Sequence, residues 1–256
     1  MSENPHQCLN CGHTLTGRYC VNCGQKADTH RITTRHFIMH DLLHGTLHIE
    51  KGLFFTIIQV LKHRGQTALD YISGKRIRYY NVFYLSLILL SLNILAVVFK
   101  HRILPDTAMK HSGEVSSVFV FAAANMKFIV LTFIPFMALN SLILFRRKKH
   151  NYAEHVVAAG FCMVAALTLA LIANLILLLG NITFFSYLGS FVGFLVFLTP
   201  LFFYFSYSAP QYRFWGYSWR ILLFYVLFIL QVFILILLLS FAFTGELNIS
   251  GEINLN

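Results

Sequence analysis

The sequence predicts an all-α membrane protein. It has about five transmembrane helices, preceded by interfacial amphipathic helices and a small cysteine-rich module at the N-terminus. Three observations carry that prediction. Of the 256 residues, 57% are hydrophobic and only 12% are charged, against about 25% charged in ordinary soluble domains. The apolar residues gather into long runs that begin at Val82. Four of the five cysteines fall before residue 24, in two matched pairs.

Crossing the hydrocarbon core takes roughly 20 apolar residues in a helix. Five stretches meet that length: Val82–Phe99, Asn125–Phe145, Val156–Leu179, Thr183–Tyr207 and Ile221–Phe243. They are too long and too free of charge for one large soluble core. The N-terminus is polar and cysteine-rich with no apolar stretch of its own, so no signal peptide is expected there.

Charge then sets orientation. Lys62, Arg64, Lys75, Arg76 and Arg78 precede the first span, Arg146–Lys149 (RRKK) follow the second, and Arg213 and Arg220 lie between the fourth and fifth. The opposite loops are weaker: Lys100, Arg102 and Lys110 with Asp106 and Glu114, a short GNI turn, and a tail with Glu246 and Glu252. Loops rich in Lys and Arg stay cytoplasmic. The expectation is therefore a multi-pass protein of the cytoplasmic (inner) membrane, N-terminus cytosolic and C-terminus extracytoplasmic. The net charge of +10 needs no nucleic acid, because each cation at that face is drawn to anionic lipid by about 1 kcal/mol.

The segment CLNCGHTLTGRYCVNCGQ places Cys8, Cys11, Cys20 and Cys23 as C-x2-C-x8-C-x2-C. Each pair reads as a knuckle, two thiolates on one tight turn followed by Gly12 or Gly24, where a left-handed backbone costs least. Two knuckles offer four sulfurs to one tetrahedral zinc. Two disulfides are the competing reading, disfavoured on a reducing cytosolic side. A redox pair would need one CxxC rather than two with matched flanks. The reading is one structural Zn2+ on a small ribbon at 1–28. With all four ligands from protein, no position is left open for catalysis. Cys162 lies mid-span as a small apolar filler.

Residues 29–81 read as interfacial amphipathic helices. From Ile32 to Lys62 apolar residues recur at three and four, with a break expected near HIEKG. Within that stretch His36, His40, His44 and His48 recur every fourth residue. Each step of four rises about 6 Å and turns about 40° beyond a full circle, so the set drifts by about 18 Å and 120° and cannot converge on one ion. It reads as the flank of an interfacial helix, histidine being mostly neutral at pH 7. A second metal ion shared by the His40/His44 pair with Glu154 and His155 of HNYAEHVVAAG is the sharper alternative, and proton handling is another.

YISGKRIRYYN combines Lys75, Arg76 and Arg78 with Tyr71, Tyr79 and Tyr80. Rings and cations suit the headgroup level, either as topology anchors or as a site for an anionic lipid headgroup. Asn93, Asn140, Asn174 and Gln231 inside the spans read as interhelical hydrogen bonds. No Walker motif, G-x-S-x-G or H-E-x-x-H occurs.

Taken together, CLNCG…YCVNCGQK, RITTRHFIMHDLLHGTLHIEKGLFFT, YISGKRIRYYN and YAEHVVAAG resemble a family of uncharacterised integral membrane proteins. That family is bacterial, frequent in Bacteroidota, and named for its GKR core. The resemblance runs through roughly the first 160 residues. Arg64-Gly65 stands where the family has Pro-Gly, and Asn81-Val82 where it has Asn-Pro. The resemblance implies a zinc-ribbon head on a helical membrane domain and brings no established reaction.

The expected organisation is thus a ribbon at 1–28, interfacial helices with the GKR motif at 29–81, a transmembrane domain at 82–245 and a short tail at 246–256. The function expected is a membrane-anchored scaffold or accessory factor, non-enzymatic, whose ribbon binds a protein partner. The rivals are a metal-dependent enzyme acting on lipid through His40, His44, Glu154 and His155, and a lipid or small-molecule transporter.

Overall fold

A computed structural model describes residues 7–29, 31–33, 52–103, 126–179, 183–209 and 211–244. Its helices are α1 (Gly52–His63), α2 (Gly65–Ile72), α3 (Val82–Ile103), α4 (Met126–Leu144), α5 (Tyr152–Leu177), α6 (Thr183–Ser208) and α7 (Phe214–Thr244). Four are long and apolar enough to cross a bilayer: Val82–Lys100, Tyr152–Leu177, Thr183–Ser208 and Phe214–Leu239. The remaining predicted span falls on α4, 19 residues with Pro135 inside. Its part Val130–Leu144 is apolar. The expected histidine stripe at 36–48 lies outside the described residues.

The five long helices alternate in direction, so the starts of α3, α5 and α7 and the ends of α4 and α6 meet at one end of the bundle. Several contacts fix that end. Ser141 of α4 bonds His155 of α5, Arg220 of α7 donates to the Leu144 carbonyl, and Gly160 lies against Val82.

Helix α5 is the centre. Two-thirds (67%) of its most apolar stretch is buried, against 11% in α7. The cause is legible in YAEHVVAAGFCMVAA, whose small residues Ala153, Ala158, Ala159, Gly160, Cys162 and Ala165 are all buried. Small side chains let neighbouring helix backbones approach, which is what drives association where no hydrophobic effect acts between helices in lipid. By contrast α7 turns Leu222, Val226, Ile229, Leu230 and Phe233 outward, a lipid-facing surface.

Polar side chains inside the spans bond across helices, as their positions predicted. Asn140 and Gln231 exchange a reciprocal amide pair at 2.9 and 3.0 Å. Asn93 donates to the Leu167 carbonyl at 3.0 Å and accepts from Asn174. Around Pro200 in α6, the Tyr225 hydroxyl of α7 donates to the Phe197 carbonyl and accepts from the Leu201 amide. These two backbone groups are the i, i+4 pair that brackets the proline, so a side chain of the partner helix satisfies both.

The short helices α1 and α2 form a hairpin packed on α5 and α6. Thr56 and Val60 face inward, whereas Phe54 and Ile58, two of the recurring apolar residues, are exposed. The turn falls where the resemblance put Pro-Gly. Arg64 occupies the left-handed region at φ 52°, a conformation the proline ring forbids. Gly65 lies directly on the α6 backbone, where an added Cβ would collide with the Phe203 carbonyl and the Tyr207 amide. Gly65→Ala is therefore expected to cost about 1–3 kcal/mol, read as a lowered melting temperature in detergent. Gln66→Ala, at the exposed neighbour, should change stability by less than about 0.5 kcal/mol.

Candidate metal centre and its seat on the membrane domain

The N-terminal segment folds as two copies of one turn. Cys8 N–H donates to the His13 carbonyl and Gly12 N–H to that of Cys8, each at 2.8 Å. Twelve residues on, Cys20 N–H donates to Gln25 and Gly24 N–H to Cys20, again at 2.8 Å. Short bridges Gln7–Thr14 and Tyr19–Lys26 flank the turns in the same register. Gly12 and Gly24 both stand at φ 75°, the conformation expected of a knuckle.

The four sulfurs face one another across the repeat. Cys8 lies 3.5 Å from Cys23 and Cys11 lies 3.5 Å from Cys20, and all four are within 4.8 Å. Metal–sulfur bonds of about 2.3 Å at tetrahedral angles put sulfurs about 3.8 Å apart, so the cluster fits one ion. The thiols are unequal. The His13 backbone amide lowers Cys11 to about 6, whereas burial raises Cys8 to about 11. Among the described residues this is the one cluster able to hold a metal.

The ribbon is seated on the YISGKR segment by side chains from both knuckles. Gln25 is buried; its amide donates to the Gly74 carbonyl at 2.8 Å and its oxygen accepts from the Arg76 and Ile77 amides at 3.1 and 3.3 Å. From the first knuckle, Asn10 accepts two bonds from the Arg78 guanidinium, each at 3.0 Å. Leu9 lies over Gly74, which sits at φ 108°. A side chain there would meet both a strained backbone and the Leu9 methyl. The glycine of GKR is thus required by the ribbon that covers it.

The other cations of the motif are engaged as well. Lys75 pairs with Asp70 at 2.8 Å, and Arg76 lies over the Tyr71 ring. Tyr71 and Tyr79 turn inward, packing on Phe161 of α5 at 5.5 and 5.8 Å.

A second tether follows the ribbon. Arg31 makes a bidentate pair with Glu154, Nε to Oε1 at 2.7 Å and Nη2 to Oε2 at 2.8 Å. Asn151 caps α5 with a reciprocal box, its oxygen accepting from the Glu154 amide while Glu154 accepts from the Asn151 amide. The Asn151 side chain also donates to the Ile32 carbonyl at 2.7 Å. Sequence inspection singled out Glu154 but missed Arg31, Asn10 and Gln25. The N-x-x-E signature of a capping box at 151–154 was readable; nothing local marks the partner 123 residues away.

The predicted site residues separate accordingly. Both oxygens of Glu154 are occupied, and Nδ1 of buried His155 bonds the Ser141 hydroxyl at 2.6 Å. His150 Nδ1 bonds the Tyr207 hydroxyl at 2.6 Å, and burial holds its pKa below the ordinary histidine value. His40 and His44 lie outside the described residues.

Fold and site together define a multi-span helical membrane protein bearing a four-cysteine ribbon that could hold one metal ion. Comparison with protein families, with curated proteins and with solved structures finds no match.

The seat makes a measurable coupling. Gln25→Leu should speed hydrogen exchange of the Ile77 amide by at least about tenfold, since it loses its acceptor, and that of the Arg76 amide by less, since it keeps the Gly74 carbonyl at 3.0 Å. Chelating the metal from the intact protein should expose the same amides, because ribbons this small unfold without their ion. Unchanged protection in both cases would show that the ribbon and the GKR loop are independent.

Proposed function

We propose that the protein is a membrane-anchored scaffold or accessory factor of the bacterial inner membrane, whose zinc ribbon presents a fixed surface to a protein partner. The observation that carries this reading is the division of the ribbon into two faces. Leu9, Asn10 and Gln25 are spent on the GKR loop, while Tyr19 and Val21 stand outward, 61% and 75% exposed. A solvent-facing aromatic and aliphatic pair on an immobilised module is the kind of anchor that partners bury.

Zinc is the ion that four thiolates in closed tetrahedral array favour. Its role in this reading is structural, supplying folding energy on the order of 10–16 kcal/mol to a segment with almost no core. The excess of Lys and Arg at the ribbon end supports a cytosolic N-terminus and an extracytoplasmic C-terminus. Membership of the GKR-core family rests on the quoted motifs, and the seating of the ribbon on GKR gives those motifs a shared physical purpose.

Two measurements test the reading. Elemental analysis of the purified full chain should give one zinc per molecule, lost in Cys20→Ser/Cys23→Ser. Affinity capture with Tyr19→Ser/Val21→Asp should lose partners that the parent protein retains, with zinc content unchanged. Identical partners in both captures would remove the scaffold reading; a second bound metal that survives the cysteine changes would favour a metalloenzyme.

A further inference from the structure

The GKR cations are committed to the ribbon and to Asp70, whereas another group of cations at the same end of the bundle has only neutral partners, the carbonyls of Leu144, Gly216 and Gln211 and the rings beside them. Arg147, Arg213 and Arg220 line a cavity of about 550 Å³ together with Tyr212, Phe214 and Trp215, within the range of small-ligand sites. The Arg147 and Arg220 guanidiniums lie on the Tyr212 ring at 5.3 and 4.6 Å. Arg220 is fixed further by donation to the Leu144 carbonyl, and Tyr212 itself accepts from the Arg147 amide. Arg147 and Arg220 are therefore held toward one space from the α4–α5 connection and the start of α7, and Arg213 lines the same space from the α6–α7 connection.

Three guanidiniums in one cavity repel one another unless an anion joins them. Among the described residues none of the three forms an ion pair. Between residues 126 and 244 the sequence contains one carboxylate, Glu154, and Arg31 holds it in a bidentate pair. The counter-charge is thus not supplied by this part of the chain. The first turn of α7 also lines the cavity, and its backbone dipole adds the same sign.

Location identifies the anion. Trp215 and Phe214 are 82% and 67% exposed at the rim, as aromatic rings are at the headgroup level. Further along α7, on the side of the helix that carries Arg220, run Leu223, Leu230 and Ile234, spaced at three-, four- and seven-residue steps and all exposed. A ligand seated here meets arginines at its head and a lipid-facing stripe below it. That is the profile of an amphiphile, and basic pockets beside membrane helices are suited to phosphate-bearing headgroups.

We propose that Arg147, Arg213 and Arg220 form a binding site for the phosphate headgroup of an anionic phospholipid, with its acyl chains lying on the Leu223–Leu230–Ile234 face of α7. Arg213 and Arg147 are the residues to change, because Arg220 also ties α7 to α4.

The test is native mass spectrometry of the full chain, stripped of lipid in a neutral detergent. It is titrated with phosphatidylglycerol, the two-phosphate diphosphatidylglycerol, phosphatidylcholine and, as a soluble phosphate, glycerol phosphate. Both anionic lipids should bind at least about tenfold more tightly than phosphatidylcholine, the two-phosphate lipid most tightly. Arg147→Gln and Arg213→Gln should each weaken them about fivefold, with zinc content unchanged, and Lys75→Gln should leave them unaltered. Equal retention of zwitterionic lipid, or undiminished binding in the double variant, would overturn the site. Displacement of the lipid by equimolar glycerol phosphate would overturn the lipid as its occupant and leave a soluble phosphate in its place.

Discussion

A buried carboxylate at the start of the central helix holds the two halves of this protein together. Glu154 is desolvated, and an isolated charge there would cost several kcal/mol. Three charge-assisted or capping bonds offset that cost, two from Arg31 and one from the Asn151 amide. The same carboxylate therefore caps α5, around which the other spans pack, and anchors Arg31, which follows the ribbon in sequence. With that point fixed, the Gln25 and Asn10 contacts to the GKR loop place the knuckles in one orientation.

The cations at this end of the molecule serve distinct purposes that composition alone merges. Arg31 and Arg78 are structural donors to an oxygen of known position. Lys75 answers a local aspartate, and Arg76 lies against a ring. Arg147, Arg213 and Arg220 converge on a space without an internal acid. A count of positive residues gives orientation, since that depends on sum and side. Which cations remain available for an outside anion depends on where the few carboxylates lie, and this protein has only 10 Asp and Glu against 20 Lys and Arg.

Much of the fold was legible before any coordinates. Apolar runs of about 20 residues announce spans directly, because the bilayer imposes that length. The C-x2-C spacing announces a knuckle because two thiolates on one turn need it. Asn140 and Gln231 were recognisable as glue because a lone amide in an apolar span must find a partner. The docking contacts were not legible. Gln25 looks like any polar residue after a knuckle, and Arg78 looks like one more headgroup cation. Their pairing is set by three-dimensional proximity over 51 to 68 residues, which no local pattern records. The span read at Asn125–Phe145 is helical over Met126–Leu144, with Pro135 within it.

The sequence separation of the two tethers has a consequence for biogenesis. The ribbon leaves the ribosome ahead of its GKR seat by some 50 residues, and Arg31 ahead of Glu154 by 123. At translation rates of about 5–20 residues per second, the metal-binding head exists for on the order of 10 s before its final latch is synthesised. The Arg31–Glu154 pair closes only once the third apolar run has been delivered in the correct direction, so a mis-inserted nascent chain leaves its head unfastened.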